Sequence, residues 1–153
     1  MTADGRIFDT NRRIRLGIWG LGRGLHLAGP CEALNLDVVA GLDHNPSMRA
    51  EFVRRFPEAA VTSDLDAFLA ADCDAVLLAS YFHRHAEDAI LCLRAGKHVL
   101  SEVTAATSME QCCELLETVR ATGRKYMLAE NYCYFRPWSL VMGLVQAGLF
   151  GEV

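Results

Sequence analysis

The chain has 153 residues, of which 52% are hydrophobic and 22% are charged, and its formal net charge is −4. This composition is typical of one folded globular domain and excludes an intrinsically disordered chain. A mildly acidic chain without a basic footprint argues against a nucleic-acid partner. The longest uncharged stretch, residues 137–151, is shorter than the roughly 20 apolar residues of a membrane span, so no membrane partner is expected.

Residues 1–12 are polar and of mixed charge, and we expect them to form a flexible N-terminal tail without a secretory signal. From residue 13, short β-type runs alternate with apolar patterns of helical period. The predicted strands are Ile14–Trp19, Asp37–Leu42, Ala59–Val61, Ala75–Ser80, His98–Ser101 and Lys125–Ala129. The predicted helices are Leu25–Leu34, Pro46–Phe56, Asp64–Ala71, His85–Arg94, Ser108–Thr122 and Pro137–Leu149.

This alternation, with its short connections, predicts parallel strands joined by right-handed crossovers. The fold class is therefore α/β: a doubly wound parallel sheet (Rossmann fold) of six strands with helices on both faces. Residues 13–153 are expected to form this domain. The chain reaches Val153 without a capped helix end or a tail, which we interpret as a truncation at a domain junction.

The six cysteines form no C-x-x-C pair and no zinc-ribbon spacing. We interpret them as reduced, small hydrophobic residues of a cytoplasmic protein. His83 and His85 form an H-x-H pair, but no third ligand accompanies them, so no metal site is predicted.

A glycine-rich loop, Gly20-Leu21-Gly22-Arg23-Gly24, follows the first strand. Glycines at this place allow a tight turn and the close approach of a dinucleotide diphosphate, and Arg23 could also reach a phosphate. The spacing departs from G-x-G-x-x-G, because the third glycine is Gly24 and Leu25 occupies the expected position. A shifted register of the first helix is one consequence to expect.

Asp43 ends the second strand, about 20 residues beyond the loop, where an acidic residue accepts hydrogen bonds from the adenosine ribose. A carboxylate at this place repels a 2′-phosphate, which favours NAD over NADP as the cofactor. The adjacent His44 would partly offset this repulsion if protonated.

Ligands of open α/β sheets bind at the carboxyl ends of the strands, so polar residues there are further candidates. The fourth strand ends at Ser80, Tyr81 and His85, the fifth at Glu102, and the sixth at Asn131. Glu102 and His85 are candidate catalytic groups. Glu102 could equally contact a ribose.

Several stretches, among them L-G-I-W-G-L-G-R-G, V-V-A-G-L-D, L-R-A-G-K-H-V-L-S-E and G-L-F-G-E-V, resemble the N-terminal domain of the Gfo/Idh/MocA oxidoreductases. The resemblance implies an NAD(P)-dependent enzyme that acts on the CH–OH group of a sugar, polyol or similar small molecule. It also implies a C-terminal substrate domain and a homo-oligomer. The cofactor positions of the family correspond to Gly20, Gly22 and Asp43, and His85 corresponds to the family's histidine after strand four.

The sequence departs from the family at its E-K-P motif, which reads Glu102-Val103-Thr104 here. The family lysine contacts cofactor and substrate, and valine can do neither. Two other interpretations therefore stay open: a catalytically degenerate member that binds NAD as a sensor or structural ligand, and a Rossmann domain for another nucleotide or for none. The 153-residue piece by itself is expected to be inactive and to self-associate.

Overall fold

The computed structural model describes residues 11–152. The predicted tail, residues 1–12, falls outside this range except for Asn11 and Arg12. Six strands form one parallel sheet in the order β3-β2-β1-β4-β5-β6, which confirms the predicted doubly wound fold. The strands are β1 Ile14–Trp19, β2 Leu36–Leu42, β3 Ala60–Thr62, β4 Ala75–Leu78, β5 His98–Ser101 and β6 Tyr126–Leu128.

The helices are α1 Leu21–Leu27, α2 Pro46–Arg55, α3 Leu65–Ala70, α4 His85–Arg94, α5 Met109–Thr122 and α6 Arg136–Gln146. Short 3-10 turns at Phe82–Arg84 and Tyr132–Tyr134 precede α4 and α6 and were not predicted. The predicted helix Leu25–Leu34 is wrong in register. The spacing of apolar residues correctly indicated a helix that packs on the sheet. The helix itself begins in the glycine loop and ends before Gly29-Pro30.

Several helix ends follow directly from the local sequence. The side chain of Asn45 accepts from the N–H of Ser47 at the start of α2, whose first residue is Pro46. Asp64 accepts from Ala67 at the start of α3, and Ser108 accepts from Gln111 at the start of α5. Unpaired N–H groups of a first helical turn are satisfied in this way by short polar side chains.

Alternating side chains of the strands divide the core into two layers. Leu16 and Ile18 of β1 face α1 and α2 together with Phe52 and Leu77. Val76 and Leu78 of β4 belong to the opposite layer, under α3, α4 and α5. Both faces of the central strands are thus covered, as expected of an all-parallel sheet.

The register of the sheet brings four strand ends to one level. Trp19 pairs with Leu42 of β2 and with Leu78 of β4, and Leu78 pairs with Ser101 of β5. The residues that follow these four positions are therefore neighbours at one edge of the sheet. This edge carries most of the candidate site.

Arg15 ties the start of β1 to the turn before β4 through Asp74. The Asp74 carboxylate accepts from Arg15 Nη2 at 2.8 Å and from the Arg15 backbone N–H at 2.9 Å. These hydrogen bonds hold the pKa of Asp74 at about 2, below its ordinary value of 3.8.

Acid should remove the stabilising effect of the Arg15–Asp74 pair. The pKa of Asp74 is lowered in the folded chain, so the contribution is complete above the ordinary carboxyl range and is lost as the pH falls towards about 2. We expect Asp74→Asn to unfold at lower urea concentration than the wild type at neutral pH. The difference should shrink steadily between about pH 5 and pH 2. A difference that is independent of pH would contradict an ionic origin.

The cysteines divide into two groups. Cys31, Cys73 and Cys92 are buried, as expected of small hydrophobic residues, whereas Cys112, Cys113 and Cys133 are exposed. The exposed three do not pack as small hydrophobic residues: Cys112 and Cys113 lie on outward faces of α5, and Cys133 lies in the 3-10 turn after β6.

Thiol labelling should reproduce this division. Burial raises the pKa of Cys31, and it raises that of Cys92 to about 12, so neither forms much reactive thiolate. In mass spectrometry after maleimide treatment, we expect modification of Cys112, Cys113 and Cys133 in the native chain and of all six cysteines in urea. Native labelling of Cys92 at the rate of Cys112 would show that the core opens easily.

Candidate functional site

A cleft of about 610 Å³ opens at the carboxyl ends of β1, β2 and β4. Successive connections leave the sheet in opposite directions on either side of β1, which makes this edge the topological switch point where α/β sheets bind ligands. The cleft is lined at its base by Trp19, Gly20 and Gly22, and on its two sides by the loops after β2 and β4.

Gly20 forms the tight turn between β1 and α1. Its φ of 88° is in the left-handed region that favours glycine. A Cβ at this position would lie 2.2 Å from the backbone oxygen of Ala79 and 2.7 Å from the nitrogen of Ser80. The main chain of the glycine loop thus rests directly on the end of β4.

Gly22 and Gly24 have different surroundings. Space is open for 4 Å around an added Cβ at Gly22, which lines the cleft. At Gly24 a Cβ would meet Cγ2 of Ile18 at 2.4 Å. Gly24 therefore supplies the close contact between helix and strand that the third glycine of the motif provides, although it comes one position early in the sequence.

Asp43 lies against the glycine loop. Its Oδ2 accepts from the N–H of Leu21 at 2.7 Å, and its Oδ1 accepts from the N–H of Asn45 at 2.8 Å. Only 9% of the side chain is exposed. Each carboxylate oxygen accepts one backbone bond and keeps a lone pair for a ligand hydroxyl.

Arg23 and Glu102 join the glycine loop to the end of β5. Arg23 Nε donates to Glu102 Oε1 at 2.6 Å, and the N–H of Val103 donates to Glu102 Oε2 at 3.1 Å. The Glu102 side chain is 12% exposed and that of Arg23 is 58% exposed. The peptide bond that follows, between Val103 and Thr104, is cis.

The end of β4 carries a network around a buried carboxylate. Asp88, which is 1% exposed, accepts from Ser80 Oγ at 2.7 Å and from Arg84 Nη2 at 3.1 Å. Ser80, Arg84 and Asp88 all line the cleft. The three residues are four positions apart, which places them on one side of the turn and helix. This spacing is visible in the sequence, but Arg84 and Asp88 were not among the predicted site residues.

His85 lies behind the cleft wall. It is 2% exposed, and its Nδ1 and Nε2 lie 2.9 Å from the carbonyl oxygen of Thr104 and 3.0 Å from that of Ser80. Both neighbours are acceptors only. This geometry ties the loops after β4 and β5 together and engages both ring nitrogens of His85, whose catalytic and cofactor-binding roles stay predictions.

The structure assembles most of the predicted site residues but not all. Those that line the cleft are Gly20, Gly22, Arg23, Asp43, His44, Ser80 and Tyr81. Leu21 and Gly24 are buried beneath the loop. Asn131 is exposed at the end of β6, the outer strand of the sheet, and does not line the cleft.

The aromatic ring of Tyr81 contacts two histidine rings. Its ring centroid lies 6.0 Å from that of His44, on the β2 side, and 5.9 Å from that of His83. Sequence reasoning also missed Met48, Ser63 and Leu65, which line the cleft beyond Asp43. Their signal is their place in the chain, directly after β2 and β3.

Among residues 11–152 no group of three or more His, Cys, Asp or Glu side chains could hold a metal ion. None of the helices in that range is long and apolar enough to cross a bilayer.

An open parallel sheet with a glycine loop at its switch point and an acidic residue at the end of β2 defines a dinucleotide-binding domain. Residues 14–130 match the Gfo/Idh/MocA oxidoreductase family, NAD-binding Rossmann fold, and the chain belongs to this family. The resemblance noted from the sequence is thereby confirmed.

Two relatives illustrate the range of the family. The chain is 29% identical over 143 residues to a 1-carboxy-3-chloro-3,4-dihydroxycyclohexa-1,5-diene dehydrogenase of Comamonas testosteroni, covering 92% of this chain and 36% of the relative. It is 39% identical over 82 residues to a glycosyl hydrolase family 109 protein of Solibacter usitatus, covering 54% of this chain and 19% of that protein.

Solved structures of dehydrogenases are also similar to this chain. The WlbA dehydrogenase of Chromobacterium violaceum, in complex with NADH and UDP-GlcNAcA, matches with a TM-score of 0.83 at 26% identity, over 93% of this chain and 42% of its own. Scyllo-inositol dehydrogenase of Lactobacillus casei, with NAD(H) and scyllo-inositol, matches with a TM-score of 0.80 at 25% identity, over 92% and 43%. The chain thus spans less than half the length of these relatives.

Two glycine substitutions should separate folding from binding. Gly20→Ala places a Cβ against the Ala79 backbone at a positive φ, and we expect it to destabilise the fold by about 2 kcal/mol or more. Gly22→Ala meets nothing within 4 Å. It should leave the thermal unfolding temperature of the chain unchanged or slightly raised, because alanine is the better helix residue.

Gly22→Ala should nevertheless weaken nucleotide binding, because the added methyl group enters the cleft. Thermal unfolding and a calorimetric NAD titration of both variants provide the check. Equal stability of Gly20→Ala and wild type would contradict the close contact with β4.

Proposed function

We propose that this chain is the NAD-binding half of an oxidoreductase that acts on the CH–OH group of a sugar, a polyol or a similar hydroxylated ring. The observation that carries the proposal is the position of Asp43, fixed on the glycine loop with an acceptor left on each oxygen. The names of the relatives support the substrate class, since scyllo-inositol, UDP-GlcNAcA and a dihydroxylated cyclohexadiene all carry ring hydroxyl groups.

The residues of the cleft suit NAD in three places. Gly22 leaves room for the diphosphate, and the first turn of α1 leaves N–H groups without intrahelical partners beside it. Asp43 suits the two hydroxyl groups of the adenosine ribose. Met48 and Leu65 offer an apolar wall beyond Asp43, where an adenine ring would be sheltered from water.

The same carboxylate argues for NAD over NADP. A 2′-phosphate beside Asp43 would place two anions in contact. Arg49, the nearest arginine after Asp43 in the sequence, does not line the cleft, and its Nη1 donates to the carbonyl oxygens of Asp43 and His44 at 2.8 and 2.9 Å.

When bound, the cofactor supplies a site on its nicotinamide ring that accepts or returns a hydride. The role of this chain is to bind and orient it. Asp43, Asp88 and Glu102, the three carboxylates of the site, are all held by hydrogen bonds from within the chain. We therefore assign no proton transfer to them.

A second candidate is hydrolysis of a glycoside by a protein that keeps the cofactor bound. The 39% identity with a glycosyl hydrolase family 109 protein over 82 residues favours it. Glycosidases that depend on NAD are known as a chemical class. The candidates differ in net products: a dehydrogenase accumulates NADH from a polyol or sugar, whereas a hydrolase releases sugar from a glycoside without net NADH. Product analysis of the native protein decides between them, and binding without either product would indicate a sensor.

The cofactor assignment can be tested on the chain itself. Trp19 lines the cleft and should report occupancy through its fluorescence, with Trp138→Phe as background to remove the second tryptophan. We expect saturable quenching by NAD and at least about tenfold weaker binding of NADP. Asp43→Ala should weaken NAD by about tenfold, since two hydroxyl hydrogen bonds to a charged acceptor are lost.

Asp37→Ala is the matched control. Asp37 is an aspartate of β2, the strand that Asp43 follows; it is ion-paired with Arg13 and does not line the cleft. Its removal should leave NAD affinity unchanged. Absence of NAD binding by the folded wild-type chain would overturn the proposal, and equal binding of NADP would overturn its preference for NAD.

A further inference from the structure

Arg23 is held by only one of its nitrogen atoms. Its Nε donates to Glu102 at 2.6 Å, and within residues 11–152 its two terminal amino groups have no hydrogen-bond partner. The side chain is 58% exposed and lines the cleft. A guanidinium anchored through Nε presents its terminal groups in a fixed orientation, which suits the two oxygens of a phosphate.

Glu102 has the properties of an anchor. Its carboxylate is 12% exposed, and its second oxygen accepts from the N–H of Val103 at 3.1 Å, so it cannot easily rotate away. An ion pair with one buried partner differs from an ordinary surface pair, because removal of the arginine leaves a desolvated charge.

The charges of the cleft favour Arg23 as the residue that contacts a phosphate. Asp43 and Asp88 are acidic, so a diphosphate entering the cleft requires a cation to compensate for repulsion. The described residues place two arginines in the cleft lining, Arg23 and Arg84. Both terminal nitrogens of Arg84 already face carboxylates, with Nη2 at 3.1 Å from Asp88 and Nη1 at 3.5 Å from Glu87, whereas those of Arg23 have no hydrogen-bond partner within residues 11–152.

We propose that Arg23 binds the diphosphate group of a dinucleotide and that Glu102 acts as the positioning residue that holds it there. This inference rests on the proposed function and extends it. It replaces the view of Glu102 as an acid or base with one in which Glu102 acts through Arg23. Each oxygen of Glu102 accepts one hydrogen bond in this arrangement, from Arg23 Nε and from the N–H of Val103.

The test compares ligands with and without phosphate. Calorimetry measures ADP and NAD, and NMR shift titration measures adenosine, whose binding is weak. We expect Arg23→Gln to lower the affinity for ADP and for NAD by about tenfold or more, because two charge-assisted hydrogen bonds to the phosphate are lost. Adenosine, which has no phosphate, should bind within about twofold of wild type.

Arg94→Gln is the matched control. Arg94 has the same 58% side-chain exposure and an ion pair with Glu114 at 3.1 Å, but it lies on α4 away from the cleft. This variant loses the same charge, and all three ligands should bind as to wild type. If Arg94→Gln lost as much ADP affinity as Arg23→Gln, the effect would come from the net charge of the chain alone, and the proposal would be overturned.

Glu102 is tested by a double-mutant cycle. Glu102→Ala should weaken ADP by about threefold or more in the wild-type chain and should have no further effect beside Arg23→Gln. Glu102→Gln keeps the size and one acceptor, and it replaces the alanine variant in the cycle if the latter has a lower unfolding temperature. Unchanged or tighter ADP binding in the folded Glu102 variants would overturn the positioning role.

Failure of this inference and failure of the proposed function give different results. If the wild type binds NAD and ADP and Arg23→Gln binds them equally well, the cofactor domain stands and the role of Arg23 falls. If the wild type binds neither NAD nor ADP, the proposed function and the role of Arg23 are both overturned.

Discussion

The close approach of the glycine loop to the end of β4 determines the rest of the site. Gly20 leaves no room for a side chain, with the Ala79 oxygen 2.2 Å from where a Cβ would be. Backbone hydrogen bonds fix the same point from both sides, since Gly20 N–H donates to Leu42 at 2.9 Å and Ala79 N–H donates to Trp19 at 2.7 Å. Three strand ends therefore meet within the width of one turn, and the cleft lies directly above them.

Much of the fold follows from local sequence, and the exceptions have identifiable physical causes. Strand β1 and helix α4 have the predicted bounds, because a short, mostly apolar run followed by glycine and a helix ending in Ala95-Gly96 are strong local signals. The predicted bounds of helix α1 lay too far along the chain, because hydrophobic periodicity indicates which residues are buried and not where the helix begins. The start of a helix depends on the backbone conformation of its cap. Here that cap is a glycine without a side-chain hydrogen bond, which resembles any other turn in a sequence.

The site was predictable to the extent that it depends on strand ends. Asp43 was found because it ends β2, and the structure adds that the loop N–H of Leu21 holds it. The Arg23–Glu102 pair could not be found in this way, because the two residues are 79 positions apart and meet only when β1 and β5 are placed on either side of β4. Asn131 follows β6, the outer strand of the sheet, and does not line the cleft, so its contact with a cofactor stays a prediction.

Internal hydrogen bonds give the cleft its chemical character. A general acid or base has to exchange a proton with a reacting group, and for that it needs a free position facing the substrate. In this chain Asp88 is bound to Ser80 and Arg84, Glu102 to Arg23 and Val103, and His85 lies between two carbonyl oxygens. These groups hold three loops in a fixed relation at the carboxyl edge of the sheet. Such rigidity suits a surface that binds and orients a cofactor, because the positions of the binding groups are set before the ligand arrives. Val103, at the position that the resemblance assigns to the family's lysine, fits the same pattern, because its side chain has no proton to exchange and no hydrogen bond to give.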